Sequence, residues 1–288
     1  ELVASRLRPG GRFHLATEVS DDGTEHFASL DQVVEVVRNI TSLYPIGKIR
    51  WGLGFSPLIK SKDLKAVTDF DKVYNQVTVT PEFLQCAHVR GCEMHEVLLP
   101  LVVSGNGGVR QGGGLAPSTL GELVCAARIS LHSGGGGQAP AHELAHCLGL
   151  DHPYPADAPL TTSLATFPFY LYHGTCGEET RPPSRPFPYY ADVDGQGRRP
   201  VLGPFDLGEE QRVFGVDFNA PYDPTVVDPK LQFDFMGYCN IGASAWSWVS
   251  RYHYLLLQSA ILARFGPTAV TLQNGPPPPD DYLVVRGT

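Results

Sequence analysis

Residues 142–152 read HELAHCLGLDH. Three histidines, one glutamate and one glycine stand at fixed intervals, H-E-x-x-H-x-x-G-x-x-H. His142 and His146 are four apart, so on an α-helix they share one face, roughly 6 Å apart along the axis. Two imidazoles so placed can bind one zinc ion. Glu143 projects beside that ion rather than onto it, where it can hold a water and take its proton. Gly149 lets the chain turn sharply after the helix. That turn can bring His152 back as a third ligand. Three neutral nitrogens and one open position make a catalytic site rather than a closed structural one. An amphipathic helix with solvent-facing histidines is the plainer alternative, but it leaves the agreement of five specified positions unexplained.

Working outward, HSGGGGQ (132–138) is a flexible joint before this helix, and Pro140 suits its first turn. Upstream, EVLLPLVV (96–103) reads as a buried strand and VCAARISL (124–131) as another strand, separated by the glycine-rich SGNGGVRQGGGLAP (104–117). Nearer the start, GRFHLATEV (11–19) alternates as a strand. Ser29-Leu30-Asp31-Gln32 is a capping box ahead of VVEVVRNITSLY. Val33, Val36, Val37, Ile40 and Tyr44 lie on one face of that helix, which Pro45 ends. KIRWGLGF (48–55) is the next strand. Strand, helix, strand in this order favours a parallel crossover. A second helix is expected over residues 63–76.

Downstream, residues 153–230 are rich in Pro, Gly and Asp, with little periodicity. The last clear helix is SWVSRYHYLLLQSAILARF (247–265), stopped by Gly266 and Pro267. GPPPPDD (275–281) reads as a stiff linker, and DYLVVRGT (281–288) can begin a further domain. No internal repeat is visible.

The 288 residues are 42% hydrophobic, enough for one large domain or two lobes around a cleft. The net charge is −8, and there is no run of Lys and Arg, which argues against a nucleic-acid partner. No apolar run reaches the ~18 residues of a membrane span, so no membrane insertion is expected. The chain opens on ELVASRLRPGG without a signal-peptide pattern, as expected of a mature form or an excised domain. Gly (31) and Pro (25) make up about a fifth of the chain, so much of it should be irregular loop. The six Cys include no CxxC pair, which fits disulfides in a secreted, extracellular protein better than a thiolate zinc site.

The motif at 142–152 resembles that of the metzincin zinc endopeptidases. Those enzymes carry a downstream methionine in a tight turn beneath the zinc. Met236 lies in FDFMGYCN (233–240), and Met-x-Tyr there resembles the Met-turn of astacins, serralysins and pappalysins. The order GG-L-A-P, strand, HELAH, PFPYYADVDG, DFMGYC and W-x-x-S-x-Y-x-Y also looks like a group of bacterial secreted peptidases of this type. Asp151 before the third His, with no Asp directly after it, departs from the adamalysin pattern. The serralysin Ser before the Met is missing as well.

The resemblance implies an α+β, zincin-like fold with one Zn2+. An upper lobe (1–152) would hold a twisted mixed sheet and two helices. A loop-rich lower lobe (153–273) would end in a long C-terminal helix, with residues 274–288 as linker or the start of another domain. His142, His146 and His152 would bind the metal. Met236 would floor the site, and Glu143 would be the general base. Tyr238 would serve as a fifth ligand or as a donor to the oxyanion. A substrate strand would pair with the stretch Gly113, Gly114, Leu115 and Ala116, whose glycines allow close approach. The implied partner is a protein or glycoprotein substrate. The rival readings are a peptidase directed at mucin-like glycoproteins and a non-catalytic, zinc-stabilised binding module.

Among the cysteines, Cys86 and Cys92 are close enough to close a small loop. Cys176 with Cys239 would staple the chain under the zinc. Cys125 and Cys147 would then tie a strand to the zinc helix, one of many connectivities open to six Cys. Asp192-Val-Asp194-Gly-Gln-Gly resembles the start of a calcium loop, but Gly203 stands where its closing Glu belongs. Ca2+ is therefore only a secondary expectation, behind an ordinary Asp/Gly turn. His14, His26, His88, His95, His132, His173 and His253 are scattered, and each reads as structural or surface.

Overall fold

The computed structural model describes residues 10–19, 24–46, 50–60, 94–99, 114–115, 124–128, 138–153, 187–192, 198–204, 214–217, 225–228, 232–237 and 247–265. Its helices and mixed sheet make an α+β arrangement. The expected helix at 63–76 and the tail 274–288 lie outside the described residues.

The six-stranded sheet is built around β1 (Gly10–Val19). The short β2 (Glu25–Phe27) pairs antiparallel with its C-terminal end. Helix α1 (Leu30–Leu43) then leads to β3 (Arg50–Lys60), which pairs parallel with β1 along its length. This is the crossover expected from strand, helix, strand. The pairing slips between Leu15 and Thr17, opposite Ser56 and Pro57. Proline cannot donate to a ladder, and a bulge accommodates it. On the other side of β1 come β4 (Met94–Leu99), then β6 (Val124–Arg128), both parallel. Between these two in sequence, β5 (Gly114–Leu115) turns back and pairs antiparallel with β6 at the end of the strand order. Strands form at both predicted places, each shorter than expected.

Helix α1 follows local rules. Ser29 Oγ accepts from Gln32 N (3.2 Å) and Gln32 Oε1 accepts from Ser29 N (2.8 Å), closing the capping box. Val33, Val36, Ile40 and Leu43 form its buried face. At roughly 1.5–3 kcal/mol for a fully buried aliphatic side chain, this stripe decides the packing of the helix. Tyr44 caps the end, and its hydroxyl donates 2.6 Å to the carbonyl of Ala141 in helix α2 (Gln138–Cys147).

Among the described residues further along, the strands form three small two-stranded pieces. β7 (Tyr190–Asp192) pairs antiparallel with β8 (Arg198–Pro200), and β9 (Gly215–Asp217) with β10 (Thr225–Val227). β11 (Phe233–Asp234) pairs parallel with β12 (Ser247–Trp248). Helix α3 (Arg251–Phe265) follows. The sequence reading began this helix at Ser247, and that start is corrected. Ser247 and Trp248 are drawn into the pairing with β11, and Ser250 caps the helix, its Oγ accepting from His253 N (3.2 Å). The indole of Trp248 lies where a Cβ on Gly215 would stand, so glycine is needed there.

An apolar core joins the helices to the turn after β11 and to β12, while Ala191, Val201 and Phe233 form a smaller cluster of their own. The larger core holds the α1 stripe, Ala141, Leu144, Ala145 and Leu150 around α2, Phe235 and Met236, Trp248, and Leu257 and Ile261 of α3. Among the described residues, no helix is long and apolar enough to cross a membrane.

Candidate metal centre

The site begins with how α2 ends. Gly149 has φ 89°, the left-handed region that glycine enters without strain. Gly149 N donates to His146 O (2.8 Å) and Leu150 N to Ala145 O (3.0 Å). These are the two bonds of a Schellman cap, with buried Leu150 over buried Ala145 completing it. The chain reverses here, and His152 returns to the helix face carrying His142 and His146.

The three imidazoles converge. Nε2 of His146 lies 3.0 Å from Nε2 of His142 and 2.9 Å from that of His152, and the last two are 3.0 Å apart. One ligand atom from each falls within a span that can hold a single metal ion. A tetrahedral zinc with bonds of about 2.0–2.1 Å sets its nitrogens roughly 3.3 Å apart, so the triangle fits after a small outward relaxation.

The opposite ring nitrogens are anchored. His142 Nδ1 donates to the carbonyl of Phe235 (2.9 Å), and His146 Nδ1 to that of Leu150 (2.7 Å). A donor at Nδ1 leaves the lone pair on Nε2, the tautomer a metal ligand needs. Burial, then the neighbouring His152, push the His142 imidazole down to about 3, against an upward pull from the Phe235 carbonyl. Burial and the same kind of crowding by His152 and His142 hold His146 well below its ordinary value. Both rings are therefore neutral near pH 7, ready to bind a cation without first losing protons.

Glu143 is half-buried on α2, one residue after the first His. Met236 is fully buried, in the turn that follows β11. Gly237 N donates to Asp234 O (2.9 Å) to close that turn, and Phe235 N donates to Trp248 O (2.8 Å). So the methionine turn reaches the histidines through a backbone carbonyl, that of Phe235, which side-chain patterns do not reveal. Gly114 and Leu115 form the terminal strand β5, which lies against α2. Cys147 is buried and disulfide-bonded. Its partner is not among the described side chains. Tyr238, Gly113, Ala116, Cys86, Cys92, Cys176 and Cys239, and most of the Asp192–Gly197 loop, lie outside the described residues, as does the side chain of Cys125.

Two features went unread in the sequence. Asp234 is fully buried and joins the methionine turn to α3 through His253, a histidine read only as structural or surface. Its position two residues before Met236 was the available signal, since an Asp side chain readily bonds the backbone N–H two residues on. The second is a cavity beside His152, walled by Asp151, Phe187, Tyr252 and Leu256. Phe187 meets Tyr252 and Tyr190 edge-on there, at 5.4 and 5.6 Å between ring centres.

No family model matches this chain, and no curated protein matches it. Among solved structures it is similar to metalloproteinase-II from Bacteroides fragilis, with 14% identity and a TM-score of 0.33 over 51% of this chain and 44% of that one. It is also similar to a chaperone–substrate complex, with 13% identity and a TM-score of 0.27 over 54% of this chain and 25% of that one. The alignments thus span about half of this chain and less than half of each solved chain. Both similarities are too slight to carry an argument, so the functional reading rests on the site itself.

Proposed function

We propose that the protein is a secreted zinc endopeptidase of metzincin type. The observation that carries this reading is the triangle of three converging imidazoles, two of them fixed from behind by carbonyls, beside a glutamate on the same helix. Zinc fits that donor set and supplies Lewis acidity, which makes water nucleophilic near neutral pH. His142, His146 and His152 hold it. The Glu143 carboxylate takes the proton of the attacking water and passes it to the leaving amine nitrogen. Tyr238 donates to the oxyanion or completes the coordination. An extended substrate pairs with the edge formed by Gly113, Gly114, Leu115 and Ala116, in line with the place of β5 at the end of the sheet and against α2.

In this reading residues 1–152 form the upper lobe and 153–273 the lower one, with the zinc in the cleft between them. Residues 274–288 form a linker or begin a further domain. Cys125 pairs with Cys147, tying β6 to α2 as suits an extracellular enzyme.

The test compares wild type with Glu143→Ala on an unfolded protein and on a heavily O-glycosylated one, with zinc content measured in both. Both proteins are expected to hold about one zinc, with cleavage reduced by about 10²–10⁴-fold in the variant. Cleavage of the glycosylated substrate alone would make this a glycoprotein-directed peptidase. Zinc in both proteins with no cleavage of either substrate would favour the binding module.

A further inference from the structure

We propose that Asp234 and His253 are a positioning pair for the metal centre, locking the methionine turn to α3 so that the Phe235 carbonyl stays on His142. This rests on the zinc reading above and extends it to two residues outside the motif.

The geometry runs through consecutive bonds. Asp234 is 0% exposed and His253 is 2% exposed. Asp234 Oδ1 accepts from Met236 N (2.8 Å) and from His253 Nδ1 (2.7 Å), and Oδ2 accepts from Ser250 N (2.9 Å). One carboxylate thus takes an N–H from the methionine turn, one from the N-cap of α3 and one from the first turn of α3. Phe235 lies between Asp234 and Met236, so its peptide units are held on both sides. Its ring also stands edge-on to His253, 6.4 Å between centres. The one carbonyl that Phe235 can present is the one that His142 Nδ1 meets.

Burial alone would push the Asp234 carboxyl up, but the facing His253 and the donors from Ser250 and Met236 outweigh it and hold the carboxyl down. A charged carboxylate in the core is costly unless fully paired, and here both oxygens are engaged. A buried carboxylate and imidazole beside a largely apolar core need a reason, because Leu257 and Ile261 further along α3 show that plain packing is available. Outer-shell partners that orient a ligating histidine supply that reason, and their loss commonly costs about 10–100-fold in metal affinity.

The test measures zinc affinity against a competing chelator and the visible absorption of the Co2+ form, with thermal unfolding alongside. His253→Leu removes the donor. His253→Asn keeps a donor near Nδ1. Leu257→Ala, one turn along the same helix and fully buried, weakens the core without touching the pair. Should His253→Leu fail to fold, Asp234→Asn replaces it. It keeps the shape but leaves one accepting oxygen, so at least one of the three N–H groups loses its partner.

We expect His253→Leu or Asp234→Asn to lose about 10–100-fold in zinc affinity and to shift the Co2+ bands. His253→Asn should recover most of both, and Leu257→Ala should melt earlier with wild-type metal binding. Wild-type affinity and spectrum in both pair variants would overturn the proposal, as would an equal loss of metal in Leu257→Ala. A wild type that takes up neither metal would overturn the zinc reading and this proposal with it.

Discussion

Helix α1 buries Val33, Val36, Ile40 and Leu43 and closes its start with its own Ser29 and Gln32. Helix α2 packs in the same core, but the face it turns to the methionine turn carries His142 and His146. The polar atoms on that face are satisfied from elsewhere: the acceptor for His142 lies 93 residues further along the chain. The first helix is specified locally and tolerates change by degrees. The second depends on one distant backbone carbonyl as well as on its own cap, because a buried imidazole must have its hydrogen bond supplied or bear the desolvation cost. A cluster of histidines therefore makes the helix that carries it the more conditional part of the core.

The largest expected effect separates the helices by pH. Burial, and then the neighbouring His152, hold the folded-state pKa of His142 at about 3, below its ordinary value of 6.5. As pH falls below 6.5 the unfolded chain takes up this proton and the folded chain does not, so stability drops. The contribution is fully present above 6.5 and is lost progressively down to about 3. His146 shifts in the same direction and adds to it. Each unit of difference is worth about 1.4 kcal/mol, so the metal-free protein should lose several kcal/mol between about pH 7 and pH 4.5. Zinc-loaded protein should resist until its ligands are protonated. Denaturant midpoints of chelated and loaded protein across this range check the claim, and a flat profile for the chelated form would sink it.

Next comes a cut in the apolar helix. Ile40→Ala should cost about 2–5 kcal/mol in unfolding free energy through lost burial and a residual cavity. The folded fraction should bind zinc as wild type does, because Ile40 holds no polar atom of the site. A parallel loss of zinc affinity would show that the two helices are not separable and would break the comparison.

The same contrast governs what the sequence discloses. The α1 stripe and its capping box were legible because helix period and cap chemistry act within a few residues. The histidine cluster was legible because three histidines and a glycine sit within eleven consecutive positions. Phe235 was not legible as a partner, since it contributes a carbonyl that every residue has. Asp234 and His253 lie 19 residues apart and meet only through the turn between them. Ser247 and Trp248 differ from the helix expected there for a related reason: a short segment that suits a helix also suits a strand, and pairing with Phe233 and Asp234 decides the matter.

The smallest effects come from the two caps, and together they make the sharpest comparison. Ser29→Ala removes the acceptor for Gln32 N at an exposed helix start and should cost about 1 kcal/mol. Gly149→Ala forces a side chain into φ 89° and should cost about the same, roughly 1–2 kcal/mol. In unfolding alone the two variants should look alike. They should part in zinc binding. Straightening the turn at Gly149 moves the Leu150 carbonyl off His146 Nδ1 and displaces His152, whereas Ser29 lies at the far end of a helix without ligands. Chelator competition on both variants reads the difference. Equal zinc affinity at equal stability loss would mean that the cap of α2 only ends a helix. A selective loss in Gly149→Ala would mean that the same left-handed residue both ends the helix and places the third ligand.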